Sequence, residues 1–269
     1  GDLVLAPPRP ADGERGRAAL MLVPGMHAPG EAYLPMLKAL QRAAASRGVS
    51  LAVGCARLDW AAAPLAQPDD LKPHFEELQA RMQARGVERG TPTFHAAHCL
   101  SAAFLQDYLQ KRGGSAGQVL LGGCLLRKHC YPVFSYRLPT LTLGAEFGGD
   151  QSLPRQAEQF LIHKGLDPGA FPMVVLPGQT HAQFASGGPR AAAPARRRAP
   201  PAVCEEDAHR RIGDVVADFV CTRLGLEGAS KMGQHLQITQ QLLLPFAMPH
   251  VAGMAGAPGG PVGPVDLVV

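Results

Sequence analysis

Short apolar runs alternate with stretches of helical period along most of the chain, which predicts βα units around a mostly parallel sheet. The run Ala18 to Val23 (AALMLV) reads as a buried strand that stops at Pro24-Gly25. Residues 33–47 follow as a helix, with Leu34, Leu37, Leu40 and Ala44 on one face. Leu51 to Cys55 is the next strand, and Leu71 to Arg85 is an amphipathic helix with Phe75, Leu78 and Met82 in one stripe. A strand over Pro92 to Ala97 runs directly into a helix from Leu100 to Lys111. Three more strands are predicted at Gln118 to Leu121, Leu138 to Leu143 and Met173 to Leu176, with a helix at Arg155 to His163 before the last. Glu205 to Leu224 is the last strong helix, with Ile212, Val215, Val216 and Phe219 facing inward. The fold class expected is therefore α/β.

Two segments break this rhythm. Gly187 to Ala202 is low in complexity and rich in Pro and Arg, and reads as a surface insertion. The tail after Gly225 holds an amphiphilic stretch, Gln234 to Phe246, then a Gly/Pro-rich end, and has no evident place in the sheet. The expected organisation is one domain over residues 1–226 carrying the insertion at 187–202, followed by an extension over 227–269. A chain of 269 residues suits one sizeable α/β domain better than two.

Composition narrows the function classes. The net charge of +4 is mild and partly due to Arg196-Arg197-Arg198, without interleaved aromatics, so no nucleic-acid partner is expected. No run of 18 apolar residues occurs, so no membrane span is expected. The beginning of the sequence lacks the apolar core of a signal peptide, although it opens on Gly, so a removed targeting segment stays an option. The six cysteines are scattered and form no CxxC pair, which reads as reduced thiols in an intracellular, soluble protein. No ligand spacing suggests a metal, and no cofactor motif appears.

The chemistry concentrates at Thr93-Phe94-His95-Ala96-Ala97-His98-Cys99-Leu100-Ser101. An apolar strand meets a helix with a reactive residue at the corner and small residues around it. In G-x-S-x-G turns the nucleophile occupies such a strained corner, and its neighbours must be small because backbones crowd there. Ala97, Cys99 and Ser101 meet that demand without the glycines. The corner also puts the Cys99 thiol at a helix N-terminus, where the dipole favours a thiolate. A buried, inert thiol is the other reading of Cys99. His95 and His98 flank the corner and read as structural.

HCLSAAFLQDYL resembles the elbow and following helix of the esterases and lipases of the α/β-hydrolase superfamily, with cysteine where they carry serine; the cysteine itself is similar to that of dienelactone hydrolases. The resemblance spans about residues 18–224. It implies a mostly parallel sheet flanked by helices, a minimal lid, and a base presented after the last strand. The segment VVLPGQTH then makes His181 that base, taking the proton from Cys99 and returning it to the leaving group. It implies an acid in the loop LGAEFGGD, where register puts Gly148 at the acid's place and leaves Glu146 and Asp150 two residues to either side. It further implies an oxyanion hole from the Leu100 amide and one near Gly25 or Met26.

These residues support two functions. One is hydrolysis of a carboxylic ester or related acyl substrate by the Cys99–His181 pair. The other is a non-catalytic member of the fold that binds a small ligand or serves as a subunit of a larger assembly, with 187–202 or 227–269 as protein contacts.

Overall fold

A computed structural model describes residues 2–8, 13–26, 28–58, 65–130, 134–149, 151–187, 201–226 and 231–255. Seven strands form one sheet: β1 (Leu3–Leu5), β2 (Gly16–Val23), β3 (Val49–Cys55), β4 (Thr93–His98), β5 (Gly117–Leu121), β6 (Thr140–Phe147) and β7 (Met173–Thr180). Their order across the sheet is β1-β3-β2-β4-β5-β6-β7, with β1 antiparallel and every other pair parallel. β4, which carries the elbow segment, is the central strand. The apolar runs follow from this position: β2, β4 and β5 are covered on both faces, so nearly every residue in them is buried.

Helices cover both faces. On one, α1 (Leu34–Ala45) and α6 (Glu205–Arg223) pack together over Leu20, Leu22, Phe94 and Val119. On the other, α2 (Leu71–Ala84) and α3 (Ser101–Arg112) enclose Met21, Ala97 and Leu120. A single turn of helix, α4 (Arg127–Cys130), follows β5, and α5 (Leu153–His163) connects β6 to β7.

The predicted elements are present, with two differences that matter for the site. β6 continues to Phe147, so Glu146 lies in a strand and not in the expected loop. β7 continues through Pro177-Gly178, where a turn was expected, to Thr180. A register shift between Ala145 and Phe147 absorbs the irregularity, and Gly178 takes a φ of +73° that a side-chain-bearing residue rarely adopts. β1 was not foreseen; three residues carry too little periodicity to read.

The tail after residue 231 forms α7 (Met232–Ala255). Thr239, Leu243 and Ala247 line its buried side, packed with Ala157, Met173 and Val175 along the outer margin of β7. The Thr239 hydroxyl accepts a hydrogen bond from the Val175 N–H, 2.9 Å away. Among the described residues no helix is long and apolar enough to cross a membrane. The expected insertion falls mostly on residues 188–200, which lie outside the described residues, as does Asp150.

Candidate active site

β4 ends at His98 and α3 begins at Ser101, so the chain turns from strand to helix within two residues. Cys99 makes that corner with φ +57°, the one positive φ at a described residue other than glycine. The left-handed region costs a residue with a Cβ roughly 1–2 kcal/mol, and such strain persists where surrounding contacts dictate it. Here the Cys99 N–H donates to the Leu121 carbonyl at the end of β5 (2.9 Å), and the Ala102 N–H donates to the Cys99 carbonyl (3.1 Å). The buried Ser101 hydroxyl donates to the Pro24 carbonyl (2.6 Å), tying the corner to the loop after β2.

The described strand order, with a sharp left-handed corner at the carboxyl end of the central strand and a histidine after the last strand, decides the architecture. The fold is that of the α/β-hydrolases. No family model matches the chain, and no curated protein matches it in sequence. Among solved structures it is similar to a predicted CIB-like hydrolase from Thermoplasma acidophilum, at 14% identity and a TM-score of 0.47, covering 76% of this chain and 88% of that one. It is also similar to an alpha-beta serine hydrolase homologue from Coxiella burnetii, at 10% identity and a TM-score of 0.45, covering 67% and 82%.

In the α/β-hydrolase fold of this chain, a 3-10 turn over His181–Phe184 follows β7 directly. Thr180 caps it: its N–H donates to Gln183 Oε1 (2.9 Å), while Gln183 Nε2 donates to the Val203 carbonyl (2.8 Å). This fixes the backbone that carries His181. The imidazole stacks on the His98 ring (centroids 4.8 Å apart, planes at 29°) and meets Phe184 edge-on at 6.0 Å. Its Cε1–Nδ1 edge lies on Gly122, where an added Cβ would sit 2.5 Å from Cε1 and 2.6 Å from Nδ1. Gly122 follows Leu121, whose carbonyl holds the Cys99 N–H. The His181 ring thus lies against His98 and Gly122, the residues next in sequence to Cys99 and to its hydrogen-bond partner Leu121, at the carboxyl ends of β4 and β5.

Behind them is a hydrogen-bonded pair that sequence reasoning missed. The Gly25 N–H donates to the Tyr33 hydroxyl (2.8 Å), and that hydroxyl lies 2.7 Å from His98 Nδ1. The Tyr33 hydroxyl thus links the loop after β2 to the His98 ring through both of its hydrogen bonds. Burial, and secondarily the neighbouring His181, hold the His98 pKa well below its ordinary value, so the ring is neutral. Burial likewise raises the pKa of Tyr33, with smaller contributions from Cys55 and Cys99. The sequence carried one hint, the adjacency of His98 to Cys99; nothing linked Tyr33 to either.

The expected oxyanion donors divide. The Gly25 N–H is engaged by Tyr33 and so is not free for a ligand. The N–H groups of Met26 and Leu100 donate to no other described residue. Both side chains are large, apolar and exposed, at 44% and 39% of full accessibility, and they flank the corner.

Of the two carboxylates expected on the acid side, Asp150 lies outside the described residues and Glu146 is described. Glu146 Oε2 accepts from the Gly178 N–H (2.6 Å) across the β6–β7 pair. At Gly148, which register puts at the place of the family's acid, a Cβ would lie 2.3 Å from the Gln151 carbonyl oxygen, so the backbone excludes any side chain there. No group of three His, Cys, Asp or Glu among the described residues is placed to hold a metal ion.

Proposed function

We propose that this chain hydrolyses small, neutral acyl esters by covalent catalysis at Cys99. His181 takes the Sγ proton, and the thiolate attacks the carbonyl carbon. The resulting oxyanion accepts from the Met26 and Leu100 amides. Collapse breaks the ester C–O bond while His181 returns the proton to the departing alcohol. Water, deprotonated by His181, then cleaves the thioester, releasing the carboxylic acid and restoring the thiol. The apolar mouth of Met26 and Leu100 favours a short acyl chain over a charged substrate, and the short connection from β5 to β6 is a minimal lid. No cofactor takes part.

The observation that carries this reading is the left-handed backbone of Cys99. A buried structural thiol has no need of that conformation, whereas a nucleophile aimed out of a strand–helix corner does. The test is turnover of p-nitrophenyl acetate and butyrate, with mass spectrometry of the protein during the first turnovers. An acyl adduct on the Cys99 peptide and loss of turnover in Cys99→Ala are expected. Equal turnover by that variant would overturn the proposal.

A second reading is favoured by the closed position at Gly148: a non-catalytic member of the fold that binds a small ligand or a protein partner. In it the domain over 1–226 is a binding module, and 187–202 or 227–269 makes contacts within an intracellular assembly. Absence of any acyl adduct, with binding of the same ester retained, would select it.

A further inference from the structure

We propose that Ser101 and Tyr33 are positioning residues for the oxyanion: their buried hydroxyls lock the Pro24–Gly25 peptide and so present the next amide, the Met26 N–H, beside Cys99. The inference rests on the acyl-transfer reading above and names what orders one of its two donors. Three observations carry it.

The first is how the two chain segments leave the sheet. β2 and β4 are parallel neighbours with Val23 opposite Ala97, so Pro24–Met26 and His98–Leu100 emerge side by side. A Cβ added at Gly25 would stand 3.3 Å from the His98 carbonyl oxygen and 2.6 Å from His98 Nδ1, a close approach that glycine permits.

The second is that one peptide is held by both of its polar groups. The Pro24 carbonyl accepts from Ser101 Oγ (2.6 Å), and the Gly25 N–H donates to the Tyr33 hydroxyl (2.8 Å). Ser101 and Tyr33 are fully buried, so losing either bond would leave a buried polar group unpaired. Tyr33 also reaches His98 Nδ1 (2.7 Å), and Ser101 is the first residue of α3. The two hydroxyls therefore grip the loop from either side of Cys99. Ser101 stands where a G-x-S-x-G turn carries its second glycine, and its hydroxyl gives that departure a use.

The third is which amide remains. The next peptide, Gly25–Met26, has its carbonyl bound by the Ala28 N–H (3.2 Å). In a trans peptide plane the N–H points opposite to the carbonyl, so holding one directs the other. The Met26 N–H donates to no other described residue. A donor fixed before reaction needs no reorganisation when negative charge develops on the substrate oxygen.

Two reactions of the same thiol separate this role from general support of the fold. p-Nitrophenyl acetate acylates Cys99 through an oxyanion and expels p-nitrophenolate. Iodoacetamide alkylates it by displacing iodide at a saturated carbon, with no oxyanion. Both rates are followed on the Cys99 peptide by mass spectrometry, with folding checked by near-ultraviolet circular dichroism. Ser101→Ala should slow acylation by at least about tenfold while alkylation stays within about threefold of the natural protein.

Unchanged acylation in Ser101→Ala overturns the inference. So does an equal slowing of both reactions, because the thiol and not the oxyanion would then be disturbed. If Ser101→Ala does not fold, Tyr33→Phe is judged by the same ratio. A natural protein that is alkylated but never acylated at Cys99 removes the acyl-transfer reading, and the inference with it. Acylation that is equally fast in the natural protein and the variant removes only the role given to Ser101 and Tyr33.

Discussion

At Cys99 the backbone and the side chain make opposing demands. The left-handed φ favours glycine, while the chemistry requires sulfur, so Cys99→Gly is expected to be about 1 kcal/mol more stable than Cys99→Ala in urea unfolding, with both inactive. Equal stability of the two would remove the strain argument. Gly122→Ala is expected to do the reverse. Its Cβ would collide with the His181 ring at a φ of +61°, costing about 1–3 kcal/mol and depressing Cys99 reactivity. His95 sets a pH limit. Burial pushes its pKa down to about 4, so between pH 6.5 and pH 4 the unfolded chain binds a proton that the native state refuses. Its contribution is complete above pH 6.5 and shrinks as pH falls through that window, by at most about 3 kcal/mol at pH 4. Urea midpoints measured from pH 7 to pH 4 should fall, and His95→Phe should flatten the slope. The corner at Cys99 and the place of His181 after β7 were legible in the sequence because small residues, a strand and a helix leave a local pattern. Tyr33 was not, because its bonds to Gly25 and His98 are made only in three dimensions.

Elements were legible where burial is continuous and less so where it is interrupted. β2, β4 and β5 read cleanly because both their faces are covered. β6 and β7 were read short because Gly144 and Pro177-Gly178 look like stops. The bulge between them, with Glu146 bonded to the Gly178 N–H, lets both strands continue. That displacement also took Glu146 out of the loop in which an acid was expected. α7 was the least legible element: its buried stripe of Thr239, Leu243 and Ala247 has meaning only against the β7 margin. Thr239→Val keeps the shape and removes the acceptor for the Val175 N–H, so a loss of about 1–3 kcal/mol in unfolding free energy is expected. A change below a few tenths would show that water replaces the hydroxyl.

For the whole molecule, one buried carboxylate joins three helices. Asp218 in α6 has a fully buried side chain that accepts from Arg47, just past α1 (2.8 Å), and pairs with His235 in α7 (3.2 Å). Burial alone would raise its pKa, but the bonds from His235 and Arg47 outweigh this and hold it below the ordinary value. Arg47→Met leaves that charge short of a partner and is expected to cost about 3 kcal/mol or more, seen as a lower urea midpoint. None of these long-range pairings was readable from spacing, although the alternation of runs was enough to give the α/β class. The two margins of the sheet have a further consequence. Among the described residues, one is lined by α7 and the other ends in the three residues of β1, so neither presents a long strand edge to recruit a strand from a second copy. Any oligomer of this chain would then assemble through helix and loop surfaces, and destabilising α7 would open the route to strand exchange.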